Sequence, residues 1–440
     1  MTRLIVFGTG DLTTRYLLPA LAELVAANAL PDGVSVTVAG RREMSTTDLL
    51  DGLEGRGDRL PDLTYRRANP TDAAAVRALV GNGAPDDPVV AYLALPPSVF
   101  ADAVDALGAA HLPAGSGIVV EKPFGDDAES AAALNRKLLA VVPEERVFRV
   151  DHFLGKQTAH DVLTLRFANS VFEPLWNHRH IASVEIVWDE TLALEGRAGY
   201  YDGTGALRDM IQNHLLQLLC LVAMEPPDRL SGDAVGARRV EVLRATRPWD
   251  AAAAAHNVRG RYVAGQVGDR EVPSYVDEDG VEPGRGTETY ARVTFAVATP
   301  RWSGVPFVLR SGKAMSTDRH EITIRFRSAP PVGFCADEVS PNVLRFGVDP
   351  TRVTLDAVLT AGHGVFATAP VELSSRAHEP SLSAYATVLA GVLGTEDVLS
   401  VRGDEAEEAW RVVEPVLEAW HHGVVPLVEY PAGSPGPTPS

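Results

Sequence analysis

The sequence predicts two domains: an N-terminal Rossmann-like α/β domain on a parallel sheet, and a larger C-terminal α+β domain with a mainly antiparallel sheet. Three observations lead there. First, residues 1 to about 125 carry short, continuously apolar runs at Leu4–Phe7, Val34–Ala39, Val89–Leu95 and Ile118–Val120. Helical patterns separate them, through Leu17, Leu18, Leu21 and Leu24 and over Ala101–Ala110. Strands apolar on both faces belong in a parallel sheet covered by helices on either side. Second, beyond about residue 150 the strands lengthen and partly alternate, at Val184–Trp188, Tyr290–Phe295 and Ile322–Phe326, between helices expected over 206–224 and 404–421. That grouping fits an α+β domain. Third, 440 residues exceed what one hydrophobic core usually holds together. The expected division is 1–150, 151–430 and an irregular tail over 431–440, where Pro431, Pro435 and Pro437 stand among glycines and the chain end should fray.

Composition narrows the function classes. An apolar fraction of 45% and a charged fraction of 22% are those of a soluble globular protein. A net charge of −18 argues against nucleic acid or an anionic membrane as partner. An anionic small molecule would then need a locally positive pocket. Cys220 and Cys335 are the only cysteines, so no disulfide framework or metal site is expected. No signal-peptide pattern or run of membrane-spanning length is seen, and the expected location is the cytoplasm.

Positive charge is carried almost entirely by arginine, because the chain holds only four lysines. Lys137 lies in an alanine-rich stretch that reads as a solvated helix. The other three sit in compact motifs: Glu121-Lys122-Pro123-Phe124-Gly125, Asp151-His152-Phe153-Leu154-Gly155-Lys156 and Leu309-Arg310-Ser311-Gly312-Lys313. Lysine offers a compact charge where arginine offers a wide fork, so these motifs mark sites that need a point charge.

Gly8-Thr9-Gly10-Asp11-Leu12 follows the first strand and opens the first helix. Glycines there let a pyrophosphate approach the backbone at a helix N-terminus, although a tight turn alone would use them too. The second strand ends at Gly40-Arg41-Arg42. Two arginines, where an acid would greet a ribose 2′-hydroxyl, favour a 2′-phosphate and hence NADP, with NAD possible. Leu95-Pro96-Pro97 and Lys122-Pro123 close later strands and should border the same cofactor, or serve as ordinary strand stops; either proline could hold a cis bond.

The segment 206–224 reads as one buried helix, yet Asp209, Gln212, Asn213, His214 and Gln217 fall on one broad arc of it. Buried polar groups cost about 1–3 kcal/mol each when unpaired, so five together imply a polar site wall or a dense network.

Taken together, these segments resemble the glucose-6-phosphate dehydrogenase family over nearly the whole chain. The resemblance is carried by the Gly-Asp-Leu loop, Tyr92-Leu93-Ala94-Leu95-Pro96-Pro97, Glu121–Gly125, Arg149–Lys156, Leu165–Asn169, Trp176-Asn177, Glu195–Tyr200, Arg208–Gln217, Val305–Lys313 and Tyr430–Ser434. It implies hydride transfer from C1 of a hexose 6-phosphate to NADP, giving the 6-phospholactone, in a sheet-mediated homodimer or dimer of dimers within the pentose phosphate pathway. It implies that His214 is the general base and Asp151 its carboxylate partner. His152 and Lys156 would bind the sugar phosphate, and Glu195 and Asp209 the sugar hydroxyls. Lys122 would lie between cofactor and substrate, and Lys313 on the substrate side. Gly8, Thr9, Gly10, Asp11, Leu12, Arg41, Arg42, Tyr92 and Pro96 would join Lys122 at the cofactor.

The sequence also departs from the family pattern. Its glycine loop is one residue short, Tyr16 stands where a substrate-side lysine is usual, and Asp318 where a second cation is usual. Phe153 and Gln157 replace the commoner tyrosine and glutamate. Besides a related sugar-phosphate dehydrogenase acting on another hexose, two alternatives remain at this stage. One is a Gfo/Idh/MocA-type sugar oxidoreductase, which also carries a Glu-Lys-Pro turn; the other is a catalytically silent NADP-binding homologue.

Overall fold

The first strand, Arg3–Phe7, lies in the middle of a seven-stranded sheet in the computed structural model. The structure describes residues 2–51, 60, 63–83, 87–250, 256–329, 340–360, 368–375, 382–394 and 400–437; Cys335 lies outside them. The sheet runs Ser400–Val401, Val147–Val150, Gly117–Glu121, Val89–Leu93, Arg3–Phe7, Ser35–Gly40 and Leu63–Arg67. Neighbours pair in parallel except Ser400–Val401, which closes one edge antiparallel. The chain first builds outward to one side of Arg3–Phe7 and then returns to build on the other. This reversal of order marks the crevice where doubly wound sheets bind ligands. Register aligns the strand ends: Phe7 lies opposite both Ala39 and Leu93, Leu93 opposite Val120, and Val120 opposite Arg149.

Two compact units emerge, and they do not follow the expected cut at 150. One comprises Met1–Lys156, Pro227–Val240 and Pro380–Glu408; the other comprises Gln157–Pro226, Glu241–Glu379 and Ala409–Ser440. Late residues join the first unit for two physical reasons. Ser400–Val401 hydrogen-bonds to the sheet edge, and helix Ala384–Leu393 packs Ala386, Leu389 and Val392 into the core with Leu17, Leu21 and Leu24. Arg149, fully buried, fastens the edge by donating to Asn135 Oδ1 at 2.9 Å and Glu144 Oε1 at 2.9 Å.

The helix after the glycine loop begins as a wide π-turn over Leu12–Leu17 before becoming α-helical over Leu18–Ala26. Pro19 supplies the reason. It has no N–H to give, and its ring crowds the carbonyl four residues back, so the preceding turn widens. The Leu18 amide accordingly reaches Thr13 O, five residues earlier.

The second unit is built on a ten-stranded sheet whose main path runs Thr368–Ser374, Thr351–Thr360, Val343–Val348, Arg319–Phe326, Ile181–Asp189, Pro306–Gly312, Tyr290–Val297, Val258–Val263 and Leu427–Pro431. Its pairings are antiparallel except Pro306–Gly312 with Ile181–Asp189 and Leu427–Pro431 with Val258–Val263. The tail expected to fray is held as far as it is described. Ser434 O accepts from Ser316 N at 2.9 Å and Pro435 O from Arg310 at 2.9 Å.

The expected helix 206–224 is present but is not one α-helix. Leu207–Leu215 is π-helical and Leu216–Ala223 α-helical. Asn213 accounts for the wide turns. Its Oδ1 accepts from the His214 amide at 2.7 Å and its Nδ2 donates to Arg208 O at 2.9 Å. Both backbone groups are thereby withdrawn from an i→i−4 ladder, and the Leu216 amide bonds to Ile211 O, five residues back. Replacing Asn213 by Leu leaves those two groups without their partner. The expected loss is roughly 2–3 kcal/mol of unfolding free energy, read as a lower urea midpoint; an unchanged midpoint would refute this account of the π-turns.

Candidate active site

In the first unit the parallel register places most of the predicted residues at one end of the sheet, beyond the carboxyl ends of its strands. Gly8, Arg41, Pro96, Lys122 and Asp151 all follow strands that end in the same rows. Gly8 has φ +129°, and a Cβ there would meet Ala94 O at 2.1 Å, so the crossing of the two central strand ends demands glycine. Thr13 donates to Gly8 O at 2.9 Å and fixes the loop. Gly10 is different. A Cβ there would meet nothing within 4 Å, so the chain's own packing does not require glycine, and the open side is room for a ligand to approach. Thr9 lies over Gly40, where a Cβ would meet Thr9 Cγ2 at 2.8 Å. Asp11 and Leu12 begin the π-turn, with Asp11 exposed and 3.6 Å from Arg15. Arg41 and Arg42 are exposed, and their guanidinium groups carry no hydrogen bond or ion pair among the described residues. A glycine loop with an open side and two uncommitted cations at the next strand end suit a dinucleotide with an added phosphate.

Tyr92, expected at the cofactor, has its side chain committed inside the fold. It is fully buried, and its hydroxyl donates to Glu121 Oε1, leaving the side chain nothing to offer a ligand. Its work is to hold Glu121, a residue the motif contained but sequence reasoning did not single out. Burial pushes the Glu121 carboxyl up to about 7; the Tyr92 hydrogen bond and the Lys122 charge oppose that rise and Asp151 adds to it. The Lys122–Pro123 bond is cis, while Pro97 follows a trans bond.

The turn from Asp151 to Lys156 is tightly wound. Leu154 N, Gly155 N and Lys156 N donate to Asp151 O, His152 O and Phe153 O at 3.0, 3.1 and 3.1 Å, and the Asp151 Oδ1 accepts from Phe153 N at 2.9 Å. Asp151, Phe153 and Leu154 are buried, whereas His152 and Lys156 are partly exposed. His152 and Lys156 thus keep partial exposure beside a buried carboxylate, which a solvated helix start would not produce.

In the second unit all five polar residues of the arc are buried, His214 to 1% exposure. The π-turns change which of them align. In an α-helix, Asp209 and His214 would point about 140° apart; with i→i+5 bonding they stand one above the other. Tyr200 donates to Asp209 at 3.3 Å. Glu288, which sequence reasoning missed, anchors the start of this helix by accepting from Leu207 N at 3.0 Å. Only its buried position in the fold reveals it. Lys313 is ion-paired with Glu190 at 2.6 Å and lies 5.2 Å from the centre of the Tyr201 ring. Glu195 adopts φ +51° and is paired with Arg270. Asp318, standing where the family pattern has a cation, accepts from Thr191 N at 2.6 Å.

Glu121 generates a measurable consequence. A carboxyl with a higher pKa folded than unfolded holds its proton more tightly in the folded state. The resulting stability is full below about 4.5 and is lost as pH rises through about 7. The gap corresponds to roughly 3 kcal/mol. In urea titrations between pH 5 and 8, wild type should lose up to that amount relative to Glu121→Gln, whose Oε1 can still accept from Tyr92; parallel profiles would overturn the assignment.

Two family models match the chain. The glucose-6-phosphate dehydrogenase NAD binding domain covers residues 5–161 and the glucose-6-phosphate dehydrogenase C-terminal domain covers 163–440. A curated glucose-6-phosphate 1-dehydrogenase from Gluconobacter oxydans is 40% identical, across 98% of this chain and 94% of that protein. A solved glucose-6-phosphate dehydrogenase in complex with its substrate glucose-6-phosphate superposes with TM-score 0.90 at 29% identity, covering 99% and 95% of the two chains. The crystal structure of glucose-6-phosphate 1-dehydrogenase from Mycobacterium avium gives TM-score 0.85 at 33% identity, covering the same shares. With both domains matched end to end, this chain belongs to the glucose-6-phosphate dehydrogenase family.

Proposed function

We infer that the chain is an oxidoreductase that removes a hydride from C1 of a hexose 6-phosphate, foremost glucose 6-phosphate, giving the 6-phospholactone with NADP as acceptor. The observation that carries this reading is the end-to-end match to relatives named glucose-6-phosphate 1-dehydrogenase. Neither a Gfo/Idh/MocA-type enzyme nor a silent homologue is favoured by that match. NADP, held by the Gly8–Leu12 backbone, Arg41, Arg42 and the Pro96 and Lys122 turns, supplies the hydride acceptor.

The residue roles are those that the family resemblance implies, and the chemistry of each side chain suits them. His214 takes the proton of the C1 hydroxyl as general base; its burial in a polar helix face keeps bulk water from competing for that role. Asp151 is its carboxylate partner, holding the ring and stabilising the imidazolium that forms. His152 and Lys156 bind the phosphate through charge-assisted hydrogen bonds. Asp209 and Glu195 accept from sugar hydroxyls, a mode that discriminates strongly among sugars. For Glu195 this requires the Arg270 pair to open. Lys122 lies between cofactor and sugar, and Lys313 joins the substrate side at the expense of Glu190.

Steady-state assays on hexose 6-phosphates and free hexoses, with NADP and NAD, test the reading. Wild type should turn over glucose 6-phosphate far better than glucose, and His214→Asn should lose roughly 10²–10⁴-fold in kcat. Absence of hydride transfer from every hexose phosphate would reject the function, and an active His214→Asn would reject the base.

Among the described residues no helix is long and apolar enough to cross a membrane, and a cytoplasmic site of action is proposed. A homodimer is proposed through the outer strands of the second unit. The pairs Leu355–Leu373, Ala357–Val371 and Leu359–Ala369 put one apolar column on a single sheet face, with Leu359 59% and Leu373 50% exposed. A second copy would cover it, and a dimer of dimers would need a further contact. Light scattering after chromatography should give a dimer for wild type and monomer for the double variant Leu359→Glu, Leu373→Glu; a monomeric wild type would sink the proposal.

A further inference from the structure

The turn Asp151–Lys156 is set directly against a helix from far along the chain. A Cβ at Gly155 would meet Ala384 O at 2.4 Å, so backbone touches backbone where helix Ala384–Leu393 begins. Ser383 caps that helix by accepting from Ala386 N at 3.3 Å, and gives its own amide to Glu23 Oε1 at 2.6 Å. Tyr385, in the first turn, is therefore held closely in place. Its ring lies nearly parallel to the His152 imidazole, 14° between planes and 5.5 Å between centres. Tyr16 packs on Tyr385 at 5.4 Å and 42°, and Phe153 meets the imidazole edge-on at 5.2 Å and 67°. Offset-parallel and edge-to-face arrangements are the favourable ones for aromatic rings. The Tyr385 hydroxyl makes no hydrogen bond among the described residues, so what this residue contributes to His152 is the face of its ring. Burial and the nearby Glu121 raise its pKa and keep the phenol neutral.

We propose that Tyr385, backed by Tyr16, is a positioning residue that holds the His152 imidazole in the orientation that meets the substrate's phosphate, and so helps set the preference for phosphorylated over free sugar. This rests on the reading of His152 as a phosphate ligand. An imidazole fixed before binding gives up little rotational freedom when the anion arrives, and that saving appears in KM.

The test uses the full-length enzyme and three variants. Tyr385→Phe keeps the ring and should stay within about twofold of wild type in every constant. Tyr385→Leu removes the ring. Its KM for glucose 6-phosphate and the inhibition constant for inorganic phosphate should both rise roughly 3–10-fold, while kcat and the kcat/KM for free glucose stay within about twofold. Tyr16→Ala, at a position 48% exposed, should shift the same two constants in the same direction by less, and it decides the matter if Tyr385→Leu fails to fold by circular dichroism. Equal losses on glucose and its phosphate, a Phe variant as impaired as the Leu variant, or an unchanged phosphate constant would each overturn the proposal. Wild type inactive on every hexose phosphate would instead reject the function on which it rests; wild-type turnover with an unmoved phosphate constant in the variants rejects only the ring clamp.

Discussion

The parallel hydrogen-bond ladder of the first sheet is the constraint on which the rest depends. Its central strands are buried on both faces: Val6, Ala91, Tyr92, Ile118 and Val119 are all fully shielded. A slip of one residue would turn every side chain to the opposite face and break the matched rows that end at Phe7, Leu93 and Val120. Because that register is fixed, the loops beyond it are fixed too. Gly8 crosses against Ala94 with no room for a Cβ, and Glu121 comes within reach of the Tyr92 phenol. Asp151 follows directly from the last parallel strand, so a catalytic role would inherit its position from the same ladder.

The two π-helical turns show how one polar or cyclic residue reshapes a site. Pro19 and Asn213 act by different chemistry, the first by removing a donor and adding bulk, the second by occupying a donor and an acceptor. Each widens a turn beside a segment to which function is ascribed. Wide turns are costly in packing and recur near functional sites. Here the second one brings a carboxylate and an imidazole, five residues apart, onto one face.

Much of this was legible in the sequence. Continuous apolar runs announced the parallel sheet, and the observed strands fall on them because burial on both faces leaves no place for polar residues. The scarcity of lysine separated motif from surface: Lys137 is indeed a partly exposed helix residue paired with Asp105, and the others sit in or beside tight turns and strand ends. Polar residues clustered on an apolar helix announced a buried polar face. Other features were hidden by sequence distance. Glu288 reaches the start of the π-helix from 81 positions away, and Tyr385 reaches His152 from the far end of the chain. Neither carries a local pattern that periodicity or motif spacing could reveal.

By itself, then, the sequence determined the fold class, the family likeness and the residue types of the site, because those reside in local alternation of apolar and polar groups and in short motifs. Only the tertiary structure decided the division into units, since Ser400–Val401 and helix Ala384–Leu393 join the first sheet by long-range pairing and packing. It alone decided that Tyr92 faces inward to a carboxyl, that Arg270 occupies Glu195, and that the helix carrying His214 is wide. These are contests among partners distant in sequence. Their outcome depends on which groups folding leaves near enough to bond.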